Sequence, residues 1–186
     1  MAVAVTRMSA DEYLAGPETR PGTTELVNGT VVVNEPELAH VHAQGEVFFA
    51  LSAWSRTAPG RGLVSFPADV RIDDANVFAP DVWWLRDDRR PAPEARRLDG
   101  VPDLVVEVRS PSTWSRDLTV KLAAYEAKGA AEAWYVDTAA RTVLVFRRST
   151  AAATTFDERI EVAGDDALTS PMLPGFALRI GAIFER

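Results

Sequence analysis

A glutamate lies inside a run that should otherwise be buried, the segment Asp-Leu-Val-Val-Glu-Val at residues 103–108. A short apolar run rich in valine is typical of an interior β-strand. Alternation along such a strand places Glu107 on the same face as Val105. An ionised carboxylate in that position costs free energy unless a cation compensates it. The chain therefore has to supply or bind positive charge beside Glu107.

A second acid, Asp81, opens another apolar run at residues 80–85. If the two strands are neighbours, Asp81 and Glu107 can reach the same cation, and oxygen ligands of this kind suit Mg²⁺ or Mn²⁺. The residues alone leave an alternative open, in which Glu107 pairs with an arginine such as Arg71 or Arg109.

Lys121 is the third member of this constellation. A helix is predicted over residues 115–129, and at 100° per residue Lys121 lies about 60° from the centre of its apolar stripe of Leu118, Leu122 and Tyr125. The chain has 20 Lys and Arg residues but only two are lysines, which hints that a compact, titratable ammonium is wanted here. The alternative is a lysine whose ammonium extends from the helix flank into solvent.

The amino-acid composition limits the kinds of protein to which this chain can belong. The 186 residues are 47% hydrophobic, which predicts one domain over residues 1–186 with a well-formed core. The absence of cysteine excludes disulfides, thiolate nucleophiles and Cys-ligated zinc. No run approaches the roughly 18 apolar residues of a membrane span, and residues 1–7 are too short for a signal peptide. We therefore expect a cytoplasmic protein without a membrane partner.

The net charge of −7 argues at first sight against binding to nucleic acid. The charge is unevenly distributed, however, because residues 86–121 carry eight basic groups against seven acids and the remainder is −8. A locally basic region on an acidic body is compatible with a polyanionic partner. The alternative is a solvated, arginine-rich loop.

Local patterns predict an α/β fold in which helices and strands interleave around one central sheet covered on both faces. A β-hairpin is expected over residues 24–33, because Asn28-Gly29 is a strong type I′ turn signal. The expected helices are 8–14 with a capping box, 37–57, 115–129 with Ser115 as N-cap, and 180–184. The expected strands are 63–72, 81–85, 104–108, 132–136, 142–147 and 155–162.

Several of these motifs occur in an order and spacing that resemble a known family. They are Glu25-Leu26-Val27-Asn28-Gly29, His40 at a helix start, Pro80-Asp81-Val82, the stretch from Asp103 to Thr113, Asp117, Lys121-Leu122-Ala123-Ala124-Tyr125, Gly129, Glu132-Ala133-Trp134-Tyr135-Val136-Asp137, and Leu168 to Phe176. The chain resembles, over nearly its whole length, the Uma-type family of putative restriction endonucleases within the PD-(D/E)xK nuclease superfamily.

The resemblance implies a restriction-endonuclease-like mixed β-sheet flanked by helices, with an N-terminal β-hairpin. It implies Asp81 and Glu107 as catalytic metal ligands and the carbonyl of Val108 as a third ligand. The usual lysine position of the motif holds Arg109, which can stabilise charge but is a poor base. In this family the catalytic lysine is expected on the next helix, at Lys121.

Further site residues follow from the same resemblance. Glu25 matches an additional catalytic acid that contacts the metal or water. His40 matches a histidine at a helix start and, with Arg109 and Arg116, is a candidate substrate contact. The alternative for His40 is an ordinary surface histidine, and we expect His42 to have no role.

The implied function is a metal-dependent endonuclease that uses Mg²⁺ or Mn²⁺ to hydrolyse phosphodiester bonds of nucleic acid, with DNA expected. Trp83, Trp84 and Trp114 are candidates for stacking on bases. A two-fold homodimer would present two sites to a double-stranded substrate. Two alternatives stay open, a catalytically inactive nuclease-like module that binds nucleic acid or regulates, and a hydrolase of smaller phosphodiesters.

Overall fold

The computed structural model describes residues 7–16, 24–111 and 113–185. Residues 1–6 and Ser112 lie outside this part of the chain. Residues 1–6 belong to the segment predicted to be too short for a signal peptide, and Ser112 belongs to the family motif. The strands are β1 (Thr24–Val27), β2 (Thr30–Val33), β3 (Leu63–Ser65), β4 (Val70–Asp73), β5 (Asn76–Phe78), β6 (Val82–Leu85), β7 (Leu98–Asp99), β8 (Leu104–Val108), β9 (Glu132–Asp137), β10 (Thr142–Arg147), β11 (Glu158–Ala163), β12 (Ala167–Leu168) and β13 (Leu178–Arg179).

The described strands form two mixed sheets and a two-stranded ribbon, which confirms the α/β class and corrects the expectation of one central sheet. A six-stranded sheet has the order β11-β10-β9-β8-β6-β3, and a five-stranded sheet has the order β2-β1-β5-β4-β7. Each contains one parallel pair, β8 with β9 and β4 with β7. The ribbon pairs β12 with β13.

The single strand predicted over residues 63–72 is wrong, because this segment supplies one strand to each sheet. β3 pairs with β6 in the six-stranded sheet, whereas β4 pairs with β5 in the other. Pro67 lies between them and has no N–H to donate to a ladder, which disfavours a continuous strand. The chain changes sheets at this point.

Five α-helices are described: α1 (Ala10–Leu14), α2 (Leu38–Ser55), α3 (Trp114–Arg116), α4 (Leu122–Ala127) and α5 (Ile180–Phe184). A π-helical turn, Asp117–Lys121, joins α3 to α4. The predicted N-cap at Ser115 is wrong, because the helix begins at Trp114 and no side chain caps it. The side chain of Thr113 instead donates to Asp117 Oδ2 at 2.6 Å.

The six-stranded sheet is covered on both faces. Apolar side chains of α2 and α5 pack on one face in a cluster that includes Val47, Leu104 and Ile183. The opposite face packs through Val105 and Tyr135 on residues of the five-stranded sheet and α4. The alternation predicted for β8 is confirmed, and Glu107 therefore points into the layer between the two sheets.

Two local predictions near the N-terminus are confirmed. Asn28 and Gly29 have φ values of 49° and 75° in the hairpin turn, as a type I′ turn requires. Ser9 and Glu12 form the capping box of α1. Among the described residues, no helix is long and apolar enough to cross a membrane.

Candidate metal centre

The pairing of β6 with β8 brings Asp81 and Glu107 to the same cavity. The two strands are antiparallel with Val82 opposite Val106, so Asp81 precedes β6 where β8 reaches Glu107. Asp81 Oδ2 accepts the backbone N–H of Val108 at 2.7 Å. Both carboxylates line a cavity of about 30 Å³. The expectation that these acids come from neighbouring strands is confirmed.

Lys121 is buried in the same region, with its side chain 3% exposed. Its Nζ lies 2.7 Å from Glu25 Oε1, 3.1 Å from Glu107 Oε2 and 3.4 Å from Asp117 Oδ1. The alternative of a solvent-directed lysine is therefore wrong. The π-helical turn makes i→i+5 bonds, so the constant 100° per residue used to place Lys121 does not hold through it. Asp117, Lys121 and Tyr125 are the residues that point inward.

The alternative pairing of Glu107 with an arginine is also wrong. Arg71 pairs with Asp11 and Asp74 at the surface. Arg109 donates to both oxygens of Asp137, at 2.8 and 2.9 Å.

Acids outnumber cations around the cavity. Four carboxylates, those of Glu25, Asp81, Glu107 and Asp117, surround one ammonium and one imidazole. Burial raises the pKa of Glu107 well above its usual range, and the neighbouring acids raise it further against the opposing effect of Lys121. Burial also raises the pKa of Asp117, although Lys121 and the Thr113 hydroxyl oppose this. The cluster therefore holds more acids than cations, and ionising all of these acids costs free energy unless a further cation is bound.

Two members of the cluster are held in their charged forms. Burial would lower the pKa of Lys121, but Glu107, Glu25 and Asp117 outweigh it and raise that pKa well above its usual value. Burial would raise the pKa of Glu25, but Lys121 and the backbone N–H of Ala79 outweigh it and lower that pKa. The Ala79 N–H donates to Glu25 Oε1 at 2.8 Å.

His40 is buried against Asp81, so the alternative of a surface histidine is wrong. Its Nε2 lies 3.1 Å from Asp81 Oδ1, and its Nδ1 lies 3.2 Å from Ser110 Oγ. Burial would lower the pKa of His40, but its interaction with Asp81 outweighs this and raises it. Gln44, one turn further along α2, donates to the Asp81 carbonyl at 2.8 Å. Helix α2 thus fixes both the side chain and the backbone of Asp81.

The remaining predicted residues lie at different distances from the cavity. Val108 lines it, whereas Arg109 does not and instead lies over the ring of Trp114 at 5.5 Å. Arg116 is half-buried, and its Nε and Nη2 have no hydrogen-bond partner among the described residues. His42, expected to have no role, contacts the carbonyl of Glu185 outside the cavity. Trp83 and Trp84 are buried in the core, which leaves only Trp114 accessible for stacking.

Sequence reasoning missed two residues of the cluster, Asp117 and Tyr125, as members of the site. Asp117 approaches the ammonium of Lys121, and the Tyr125 hydroxyl donates to Glu107 Oε1 at 2.6 Å. A signal was available, because 117, 121 and 125 are spaced by four and share one helix face. The predicted apolar stripe of Leu118, Leu122 and Tyr125 is confirmed as buried only for Tyr125, because both leucines are half-buried.

The residues present fit a hard divalent cation. Within the described part of the chain there is no group of three or more histidine and acidic side chains placed to hold a metal ion. Two carboxylates and a backbone carbonyl completed by water are nonetheless a donor set that Mg²⁺ accepts. The excess of acids over cations favours a bound cation. Asp117 Oδ1 is buried without a hydrogen-bond partner among the described residues, although the ammonium of Lys121 lies 3.4 Å from it. The holders would be Asp81, Glu107 and the Val108 carbonyl.

Comparison with known proteins agrees with this geometry. The model of the Uma2 family, described as putative restriction endonuclease, matches residues 10–181. The chain belongs to this family. Its structure is similar to the crystal structure of a putative nuclease belonging to DUF820 from Anabaena variabilis, with a TM-score of 0.80 and 21% sequence identity over 95% of this chain and 97% of that one. At that identity the likeness shows the fold, which confirms the restriction-endonuclease-like architecture. No match was found among curated proteins.

Proposed function

We propose that the protein is a metal-dependent endonuclease that hydrolyses phosphodiester bonds of nucleic acid, with DNA as the expected substrate. The observation that carries the proposal is the meeting of Asp81, Glu107 and Lys121 at one small cavity where acids outnumber cations. Membership of a family described as putative restriction endonucleases supports the same conclusion.

The cation in this proposal is Mg²⁺ or Mn²⁺. Asp81, Glu107 and the Val108 carbonyl would hold it. When bound, such an ion polarises a phosphoryl oxygen and lowers the pKa of bound water. His40 and Gln44 keep Asp81 in place for this purpose, because they hold its side chain and its carbonyl respectively.

Lys121 acts in the proposal as an ammonium that stabilises negative charge developing on the phosphate. Three surrounding carboxylates hold it in that form, so it donates hydrogen bonds and does not accept a proton. Glu25 contributes by anchoring Lys121 at 2.7 Å, since Glu25 itself does not line the cavity. This replaces a direct metal contact as the role we propose for Glu25.

Arg116 is the substrate contact that the geometry favours. A guanidinium suits a phosphate oxygen, and the Nε and Nη2 of Arg116 have no hydrogen-bond partner among the described residues that would compete for them. The other two candidates are already engaged, His40 by Asp81 and Ser110 and Arg109 by Asp137.

Cleavage of both strands of a duplex would need two such sites, so the proposal includes a two-fold homodimer. The outward face of α2 carries Leu38, Val41 and Phe49, which are 82%, 49% and 70% exposed. These residues share one helix face opposite the face that holds His40. Sedimentation of the wild type and of a Phe49→Ser variant across concentrations tests this element, and a monomeric wild type would remove it.

One observation keeps the inactive nuclease-like module as a second candidate. Both oxygens of Asp81 and both oxygens of Glu107 already accept hydrogen bonds or ion pairs from the protein. A module that binds nucleic acid without cleaving it, or that has a regulatory role, would not need these carboxylates to bind a cation.

The test is nicking of supercoiled plasmid by purified protein with Mg²⁺ or Mn²⁺, next to Asp81→Ala and a His42→Ala control. We expect nicking that needs the metal, disappears in Asp81→Ala and persists in His42→Ala. Binding of plasmid without nicking would favour the inactive module. Hydrolysis of bis(p-nitrophenyl) phosphate without nicking would favour a hydrolase of smaller phosphodiesters.

A further inference from the structure

Tyr125 is a buried side chain for which the reaction proposed above has no use. It lies in α4 with no exposed surface, and its ring packs edge-on against Phe78 with centroids 5.7 Å apart. Its hydroxyl donates to Glu107 Oε1 at 2.6 Å. This is a short hydrogen bond to a charged acceptor, of the kind that fixes orientation.

The two oxygens of Glu107 are divided between two donors of one helical segment. Tyr125 takes Oε1, and the ammonium of Lys121 takes Oε2 at 3.1 Å. Two donors on different oxygens fix the plane of the carboxylate as well as its position. Each oxygen keeps a second lone pair, so these contacts leave Glu107 able to ligate a cation.

The donors themselves have little freedom. Lys121 is held by Glu25 and Asp117 in addition to Glu107, and Tyr125 is enclosed by the core between the two sheets. The orientation of Glu107 is therefore set by the helical segment and not by the strand alone.

We propose that Tyr125 is a positioning residue that orients Glu107 for a divalent cation and thereby sets the affinity of the centre for that cation. The inference rests on the proposed function, because it assumes that Glu107 is a metal ligand. Groups that orient a metal ligand typically change metal affinity by about 10–100-fold when removed.

The chain offers a matched control in Tyr135. It is also fully buried, and it lies opposite Glu107 in the register of β8 and β9. Its hydroxyl has no hydrogen-bond partner among the described residues. Tyr135→Phe and Tyr125→Phe thus remove the same atom from buried rings beside the same glutamate, but only one of them removes a bond to it.

The experiment is titration of each metal-free variant with Mn²⁺ alone by isothermal calorimetry, with thermal melting to confirm folding. We expect the Kd for Mn²⁺ to rise about 10–100-fold in Tyr125→Phe and to stay within about twofold in Tyr135→Phe. In nicking assays, the Mn²⁺ concentration at half-maximal rate should rise in Tyr125→Phe, while the rate at saturating Mn²⁺ changes little.

Failure of this inference and failure of the proposed function give different results. If Tyr125→Phe binds Mn²⁺ as tightly as the wild type and Asp81→Ala does not bind it, Tyr125 has no positioning role but the metal centre stands. If the wild type binds no Mn²⁺, the proposed metal dependence fails and the role of Tyr125 fails with it.

A second variant covers the case in which Tyr125→Phe does not fold. Tyr125→Met removes the same hydroxyl, leaves Glu107 unchanged and fills the space of the ring with a flexible apolar side chain. Weaker Mn²⁺ binding in that variant would support the inference, and wild-type affinity would overturn it.

Discussion

Two buried glutamates on adjacent parallel strands, Glu107 of β8 and Glu132 of β9, have very different surroundings. They are 3% and 1% exposed and lie about 10 Å apart along the strands, since Glu132 pairs with Leu104 in the register. Glu132 accepts from two neutral donors, the indole of Trp134 and the hydroxyl of Ser170, each at 2.6 Å. Glu107 instead shares one ammonium with two other acids.

The difference shows that burial of an acid does not by itself indicate a functional site. Burial raises the pKa of Glu132, but its own hydrogen bonds from Ser170 and Trp134 oppose that effect. At Glu107 the neighbouring acids add to the effect of burial. A self-satisfied acid of the first kind serves the fold, whereas a cluster with unbalanced charge is suited to bind a cation.

The largest effect should come from removing the one ammonium of the cluster. Lys121→Met leaves the buried acids uncompensated and should lower the free energy of unfolding by about 3–5 kcal/mol in metal-free buffer at neutral pH. The only other lysine, Lys128, is exposed, so Lys128→Met should change it by no more than about 0.5 kcal/mol. Urea denaturation measures both, and equal stabilities would show that the acids do not depend on Lys121.

Activity should separate the two glutamates directly. Glu107→Gln removes a proposed metal ligand and should reduce the nicking rate by at least about 10²–10³-fold, roughly 3–4 kcal/mol of barrier. Glu132→Gln makes the same change and should leave the rate within about twofold, because an amide can accept from Trp134 and donate to Ser170. A comparable loss of nicking rate in both variants would mean that the different surroundings of Glu107 and Glu132 do not correspond to different roles in activity.

The sequence predicted that Asp81 and Glu107 lie close together because local patterns were enough for these two acids. Asp81 and Glu107 stand at the ends of apolar runs that form neighbouring strands, and Asn28-Gly29 specified the hairpin turn. These features depend on spacing within a few residues, which a single chain displays directly.

The remaining features depend on contacts that no local pattern encodes. The second sheet requires Leu26 of β1 to pair with Val77 of β5, 51 residues away, and the contact of His40 with Ser110 spans 70 residues. The spacing of Asp117, Lys121 and Tyr125 by four indicates that they share one helix face. It does not show that Glu25 and Glu107, which come from distant strands, meet that face.

A smaller effect is expected from weakening the surroundings of Glu132. Ser170→Ala removes the donor to Oε2 and leaves that oxygen buried, so the free energy of unfolding should fall by about 1–3 kcal/mol. The affinity for Mn²⁺ should not change, because Glu132 pairs with Leu104 at one end of β8 and the proposed metal ligand Glu107 lies near the other end. A changed Kd for Mn²⁺ in calorimetry would show that the two regions are coupled.

The smallest effect concerns pH. The pKa of Glu132 is raised above its ordinary 4.5 in the folded state, so the folded protein binds more protons than the unfolded chain between those two pKa values. The stability that Glu132 contributes is thus fully present below about pH 4.5 and is lost as the pH rises through the folded pKa. Glu132→Gln cannot ionise at this position, so the stability of the wild type minus that of the variant should decrease between pH 4 and 7. Urea denaturation at a series of pH values measures this difference. A difference that instead increases with pH would mean that Glu132 is stabilised as a carboxylate, and the contrast with Glu107 would then lie only in the ammonium that Glu107 shares with other acids.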